Sequence, residues 1–239
     1  MNMFRILLAD DHPICRLGER SLLESHERWE VCGEAADGRD AVEKCKQLKP
    51  DLLILDICMP RLNGVDAARQ VLRNNPEQRI LVFTDVESEQ VIRECLEAGV
   101  RGWVFKADGA HDLVIAIEAL ERHRSTFSSQ VSDLVLDGYL RRQVDPLSAI
   151  PRTLSPRERE VVQLVAEGKS SKEIAIMLGV TAKTTETHRS NIMAKLNIHS
   201  IVELVMYAVR NGIVSVPVPA TLLRGIHSGN GHADVAMSG

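Results

Sequence analysis

The stretch Leu52-Leu53-Ile54-Leu55-Asp56 places four apolar side chains in a row and ends them at a carboxylate. An uninterrupted apolar run of this length fits a strand that is buried on both faces. Such strands belong to parallel sheets that carry helices on both sides. The stretch therefore predicts the central strand of an α/β domain, with Asp56 at the carboxyl end of that strand.

Short apolar runs alternate with amphipathic segments on either side of this strand, throughout residues 1–122. Strands are predicted at residues 5–9, 30–35, 52–56, 80–84 and 102–106. Helices are predicted near residues 13–26, 38–48, 64–74, 87–98 and 109–122, where apolar residues recur at helical spacing. Strands that alternate with helices in this way predict a doubly wound, five-stranded parallel sheet.

The second half of the chain differs in composition. Residues 123–152 contain several serines and prolines and are predicted to be a linker, with a short helix at 129–142. Residues 153–214 predict a second, all-helical domain. Residues 215–239 carry Pro217 and Pro219 near their start and contain Gly, Ser and Ala further on, so we expect a disordered tail.

The two halves also differ in charge. Residues 1–150 carry 19 Lys and Arg against 26 Asp and Glu, whereas residues 151–212 carry 9 against 6. An acidic half joined to a basic half indicates two separate functions. The basic half is the candidate for binding nucleic acid.

Cysteine usage and hydropathy indicate the compartment. The five cysteines all lie in the first half, and no two of them form a CxxC pair. This pattern argues against a zinc site or a disulfide scaffold and favours a reducing compartment. The apolar run at 6–9 is too short for a signal peptide, and no run reaches membrane-spanning length. We therefore expect a soluble, cytoplasmic protein with no membrane partner.

Five polar side chains lie at predicted strand ends. They are Asp10, Asp11, Asp56, Thr84 and Lys106. Ligands of an open parallel sheet bind at the carboxyl ends of its strands, so these groups should converge there. Three clustered carboxylates repel one another unless a divalent cation binds them, and all-oxygen ligands suit Mg²⁺. The cation and the lysine together would stabilise a phosphoryl group during transfer to an aspartate.

Residues 3–122 resemble the receiver domain of two-component response regulators. The resemblance rests on LLADDHP (7–13), LLILDICMPRLNG (52–64), VFT (82–84) and GWVFK (102–106). It implies a flavodoxin-like fold, with Asp56 as the residue that accepts a phosphoryl group from a sensor histidine kinase.

The same resemblance implies roles for the surrounding residues. Asp11 would bind Mg²⁺ directly, Asp10 would bind it through water, and Asp56 and the backbone carbonyl of Cys58 would complete the protein ligands. Thr84 and Lys106 would hold the phosphoryl oxygens. Thr84 and Trp103 would form the switch, in which Trp103 turns inward when Thr84 moves toward the phosphoryl group. Cys58 and Asp85 depart from the residues expected at their positions, which leaves the lifetime of the phosphoryl group open.

Residues 153–214 carry the marks of a helix-turn-helix. Ser155 and Pro156 begin a first helix, with Glu158 completing a capping box, and that helix ends at Gly168. Ser171 is predicted to cap a short second helix, and Gly179 makes the turn. Thr181 is predicted to cap a third helix that ends near Leu196.

The third helix has two different faces. Thr185, His188, Ile192 and Leu196 fall on the predicted core side at 100° per residue, whereas polar side chains that can reach base edges fall on the other. Arg189 and Lys172 are placed to contact phosphates. The candidate DNA-contacting residues are Lys172, Lys183, Thr184, Glu186, Thr187, Arg189, Ser190 and Asn191.

This second domain resembles the LuxR/FixJ-type DNA-binding domain. The matching text is LSPREREVVQLVAEGKSSKEIAIMLGVTAKTTETHRSNIMAKL (154–196), with Thr185 standing where Val is usual. Together, the two resemblances imply a NarL/FixJ-family transcription regulator. They also imply that the chain forms a homodimer on activation, through its fourth helix or its receiver face.

Three other functions share part of this pattern. An aspartyl-phosphate phosphatase would carry an acid/base carboxylate two residues after the nucleophile, where this chain has Cys58. A phosphate-independent regulator would lack pocket residues, and all five are present. A regulator that binds a small acyl ligand would need a different N-terminal half. We therefore expect a regulator rather than an enzyme.

Overall fold

The computed structural model describes residues 3–133 and 154–214. In the first range, strands β1 to β6 are Phe4–Ala9, Trp29–Ala35, Leu52–Leu55, Arg79–Thr84, Gly102–Phe105 and Thr126–Phe127. Helices α1 to α5 are Pro13–Glu24, Gly38–Leu48, Gly64–Asn74, Glu89–Ala98 and Ala110–Glu121. The predicted strands β1 to β5 and all five helices agree with these bounds to within two residues.

The strands form one parallel sheet in the order β2-β1-β3-β4-β5-β6, with helices on both faces. Side chains of β3 alternate between two cores, as a period of two requires. Leu53 and Leu55 pack on the face covered by α2, α3 and α4, whereas Leu52 and Ile54 pack with α1 and α5. The prediction of a doubly wound parallel sheet is confirmed.

The predicted number of strands was wrong, because within residues 3–133 and 154–214 the sheet has six strands and not five. Thr126 and Phe127 pair with Gly102 and Trp103 at the edge of the sheet. Two residues are too few to show an alternating pattern, and these two lie among serines. The region predicted as a linker, 123–152, thus begins with residues of the sheet.

Of the predicted helix at 129–142, residues 129–133 are helical and Val131 is fully buried in the core. The remainder of that helix lies outside the described residues, as do residues 134–153 of the linker and the tail at 215–239.

The second range folds into helices packed around a separate apolar core. Helices α6 to α9 are Pro156–Ala166, Ser171–Leu178, Ala182–Leu196 and Ile201–Arg210. The predicted caps at Ser155 and Thr181 are confirmed, and Gly179 takes the left-handed conformation at φ 65° in the turn. The helix-turn-helix order is therefore as predicted.

The cap of α7 was predicted one residue too late. Ser170 caps this helix, because its hydroxyl accepts from the backbone N–H of Glu173 while the Glu173 carboxylate accepts from the backbone N–H of Ser170. Ser171 is instead the first helical residue. Two serines in a row offered the same cap chemistry, and the glutamate three residues after Ser170 distinguishes them.

Thr185 is fully buried in α8, and its hydroxyl donates a hydrogen bond to the backbone carbonyl of Thr181 at 3.3 Å. The hydroxyl that replaces a methyl of the more usual Val is therefore paired within its own helix.

Among the residues that the structure describes, no single helix is long and apolar enough to cross a membrane. Helices α8 and α9 together reach that length and composition, with a bend of 69° between them.

Gly64 begins α3 where the chain returns past Asp56. A Cβ on Gly64 would lie 2.1 Å from the backbone oxygen of Asp56. We expect Gly64→Ala to lower the free energy of unfolding of the N-terminal domain by about 1–3 kcal/mol. The reason is that the backbone of Asp56 cannot move away from the new methyl group as a flexible side chain could. Urea unfolding followed by tryptophan fluorescence measures this, since both tryptophans lie in that domain.

Gly18, in the middle of α1, provides the matched control. A Cβ there would meet nothing within 4 Å, so Gly18→Ala should stabilise the domain by about 0.8 kcal/mol through helix propensity. Equal effects of the two substitutions would contradict the close approach at Gly64.

Candidate functional site

The carboxyl ends of β1 and β3 bring the acidic residues together. The two strands are neighbours in the sheet, and the backbone N–H of Asp56 donates to the Ala9 carbonyl at 2.8 Å. As a result, ligand atoms of Asp10, Asp11, His12 and Asp56 all lie within 4.8 Å of one another. Three of these side chains are the predicted carboxylates, and His12 was not predicted.

Lys106 lies against this cluster at the end of β5. Its ammonium Nζ is 2.6 Å from Asp10 Oδ2 and 3.2 Å from Asp56 Oδ2. Burial alone would lower the pKa of Lys106, but Asp56 and Asp10 hold that pKa above its usual value. The lysine is therefore a permanent cation that partly neutralises the two buried aspartates.

Negative charge remains in excess around Asp11. Burial raises the pKa of Asp11, the neighbouring Asp56 and Asp10 raise it further, and His12 opposes them. Carboxylate oxygens that repel one another at this range are the donors that a hard divalent cation prefers. The cluster could therefore hold such a cation at Asp10, Asp11 and Asp56.

Glu19 is a member of this site that the sequence analysis missed. It lies on α1, is 7% exposed, and its pKa is raised to about 7 by burial and by the charge of Asp10. A signal was present in the sequence, because Glu19 stands four residues before Leu23 on the inward side of the helix. A carboxylate on the inward, apolar face of a helix indicates that other polar groups lie beneath that face.

Thr84 and Trp103 occupy adjacent strands beside the pocket. Both are fully buried, and the Thr84 hydroxyl accepts from the backbone N–H of Val86 at 3.4 Å. The Trp103 ring meets Phe105 edge-on with 6.0 Å between centroids, and its Nε1 has no partner among the described residues. Trp103 is already buried in this conformation. The predicted inward turn of its side chain would have to start from an outward conformation, which differs from the one described.

The predicted reading face of α8 is open to solvent. Its exposed side chains are Lys183, Glu186, Thr187, Ser190 and Asn191. Thr184 is half-buried, and its hydroxyl and its backbone N–H both bond the Thr181 hydroxyl, at 2.8 and 3.1 Å. On the opposite side, Thr185 and Ile192 are buried in the core as predicted.

Two cations border this face. Arg189 Nη1 donates to the Ser171 hydroxyl at 2.8 Å, which holds the guanidinium beside the start of α7. Lys172 is exposed in the first turn of α7. Positive side chains next to free helix N–H groups suit a phosphate oxygen.

Helix α9 divides its apolar residues between core and surface. Leu204 and Ala208 are buried, whereas Ile201, Val202 and Met206 are 50%, 72% and 46% exposed. Part of the apolar stripe thus belongs to the domain core, and part of it is free to meet another surface.

Comparison with known proteins matches both halves of the chain to family models. A family model described as "Response regulator receiver domain" matches residues 6–118, and one described as "Bacterial regulatory proteins, luxR family" matches residues 152–208. The response regulator protein VraR of Staphylococcus aureus is 33% identical over 210 residues, which cover 88% of this chain and 98% of VraR.

Solved structures give the same result. The RcsB response regulator of Salmonella typhimurium aligns with a TM-score of 0.62 at 29% identity, over 88% of this chain and 99% of RcsB. RcsB bound to the promoter rprA in the presence of phosphomimetic BeF3⁻ aligns at 0.58 and 30% identity, over 86% and 98%. This chain therefore belongs to the two-component response regulators of the NarL/LuxR family, which join a receiver domain to a LuxR-type helix-turn-helix.

Proposed function

We propose that Asp56 accepts a phosphoryl group from a sensor histidine kinase, and that this event controls DNA binding by the helix-turn-helix. The observation that carries the proposal is the position of Asp56, which is 4% exposed, lies within the acidic cluster and is 3.2 Å from the Lys106 ammonium. Family membership indicates a regulator and not a turnover enzyme, in agreement with Cys58 at the position where a phosphatase would have its acid.

The chemistry follows from the positions of the charges. A carboxylate oxygen of Asp56 attacks phosphorus, and the bond from phosphorus to the kinase histidine breaks. Lys106 offsets the negative charge that the phosphoryl oxygens bring into the pocket, and Thr84 can donate its hydroxyl to one of them.

We propose Mg²⁺ as the cation of this pocket, bound by Asp11, Asp56 and the Cys58 carbonyl directly and by Asp10 through water. When bound, Mg²⁺ supplies the positive charge that three carboxylates and a phosphoryl group require.

For DNA binding, we propose that α8 enters the major groove with its exposed polar face. The support is the exposure of Glu186, Thr187 and Ser190, together with the promoter complex of the related RcsB. Two copies would pair on activation and place two such helices in neighbouring half-sites. The exposed residues Ile201, Val202 and Met206 on α9 support this pairing.

Asp56 is predicted to be the acceptor of the phosphoryl group. Incubation with acetyl phosphate and Mg²⁺ should label the wild-type chain, and Asp56→Asn should abolish labelling because an amide is not a nucleophile for phosphorus. Asp51→Asn is the matched control, since Asp51 lies at the opposite end of the same strand and binds the backbone N–H of Arg5. Labelling of Asp56→Asn at the wild-type level would refute the assignment.

Base reading and phosphate binding by the DNA-binding domain can be separated by substitution. Glu186→Ala should change the preference at one base position by about 1–3 kcal/mol. Lys172→Ala should weaken binding to all sequences alike and reduce the slope of log K against log salt by about 1. Selection of bound DNA fragments and salt titrations measure the two effects.

Lys46→Ala, on the exposed face of α2 in the receiver, is the control that should change neither quantity. An unchanged sequence preference in Glu186→Ala would show that Glu186 does not read a base.

A further inference from the structure

Helix α6 of the DNA-binding domain is buried on more than one side. Its residues from Arg159 to Val165 are all buried, although only Val161, Val162, Leu164 and Val165 belong to the apolar core of its own domain. Arg159, Gln163 and Glu167 follow one another at intervals of four and thus form a row along the helix. This polar row faces the receiver.

Gln163 bonds two backbone groups of the loop that follows Asp56. Its Nε2 donates to the Met59 carbonyl at 2.8 Å, and its Oε1 accepts from the backbone N–H of Asn63 at 2.8 Å. Glu167 adds a bond of 3.2 Å from the backbone N–H of Arg61 to its Oε1. Gln163 and Asn63 are both fully buried, so these backbone groups depend on protein partners.

The loop held in this way contains a proposed metal ligand. Met59 directly follows Cys58, whose carbonyl is a proposed ligand, and the Met59 N–H donates to the Ile57 carbonyl at 3.1 Å. A second hydrogen bond to the same Ile57 carbonyl, from the Gly64 N–H at 2.8 Å, joins the two ends of the loop. Gln163 therefore spans the loop and limits rotation of the peptide groups beside Cys58.

A buried cluster of charges keeps α6 in this position. Arg159 Nη1 lies 2.8 Å from Glu94 Oε2, and Arg159 Nε lies 3.5 Å from Asp66 Oδ2. Arg69 bonds the same two carboxylates, at 2.9 Å to Glu94 and 3.1 Å to Asp66. Two cations and two anions thus balance only while the domains are docked, because undocking removes Arg159.

We propose that Gln163 is a positioning residue for the phosphoacceptor site: it orients the loop that carries the Cys58 carbonyl, so that docking of the DNA-binding domain raises the affinity of the receiver for Mg²⁺. The inference rests on the proposed function, because it presumes Mg²⁺ in the pocket. By linkage, Mg²⁺ favours the docked arrangement by the same factor. The reading face of α8 is exposed in that arrangement, so docking itself leaves the face accessible.

The test is a Mg²⁺ titration of the full chain by calorimetry. Gln163→Met keeps the side-chain volume and removes the hydrogen bonds to Met59 and Asn63. We expect it to weaken Mg²⁺ binding on the order of tenfold, as loss of groups that orient metal ligands does. Arg159 does not contact the loop. Arg159→Met should nevertheless weaken Mg²⁺ binding by the same factor, because loss of its ion pairs undocks the domain that carries Gln163.

Lys195→Met is the matched control, since Lys195 pairs with Glu158 inside the DNA-binding domain and should leave Mg²⁺ affinity unchanged. Urea unfolding without Mg²⁺ separates a positioning role from general destabilisation. Gln163→Glu provides a second variant that keeps the acceptor for Asn63 but turns an oxygen toward the Met59 carbonyl, and it too should bind Mg²⁺ more weakly.

Asp11→Asn separates a failure of the positioning role from a failure of the proposed metal site. If Asp11→Asn weakens Mg²⁺ binding while Gln163→Met and Arg159→Met titrate as the wild type, the positioning role is overturned and the proposed function stands. If Asp11→Asn itself titrates as the wild type, the proposed metal site is wrong.

Discussion

The ammonium group of Lys106, held between Asp10 and Asp56, is the interaction on which the N-terminal half of the molecule depends. Two buried aspartates at 2.6 and 3.2 Å from one cation are tolerated because that cation neutralises part of their charge. The parallel sheet brings the three groups together, since β1, β3 and β5 all end at the same edge. The remaining negative charge of Asp11 makes this edge a place for a divalent cation and a phosphoryl group.

Helix α6 contacts the receiver mainly through polar groups. The ion-pair cluster of Arg159 and the hydrogen bonds of Gln163 and Glu167 form much of this contact. An apolar part lies beyond α9, where Gly212 packs closely against Val91 of the receiver. Separation would leave Glu94 and Asp66 with Arg69 as their one cation, so the charge of this cluster favours the docked arrangement. A receiver that changes shape at Asp56 acts directly on this contact, because the loop after Asp56 is part of it.

The sequence patterns correctly predicted the strand, the caps and the turn that depend on interactions between neighbouring residues. The apolar run at 52–55, the caps Ser155 and Thr181 and the turn at Gly179 each depend on a few neighbouring residues, and all lie where predicted. The family motifs indicated the acidic cluster in the same way. The sixth strand, the place of Glu19 beside Asp10 and the contact of Gln163 with Met59 were missed. The last of these joins residues 104 positions apart, which no periodicity can show.

The most direct test of the account is a crystal structure of the full chain with Mg²⁺ and beryllofluoride. The account predicts beryllium bonded to a carboxylate oxygen of Asp56, a fluorine in contact with Lys106 Nζ, and Mg²⁺ bound by Asp11 and the Cys58 carbonyl. Beryllofluoride bound to another carboxylate, or bound to Asp56 without contact to Lys106 or Mg²⁺, would contradict it.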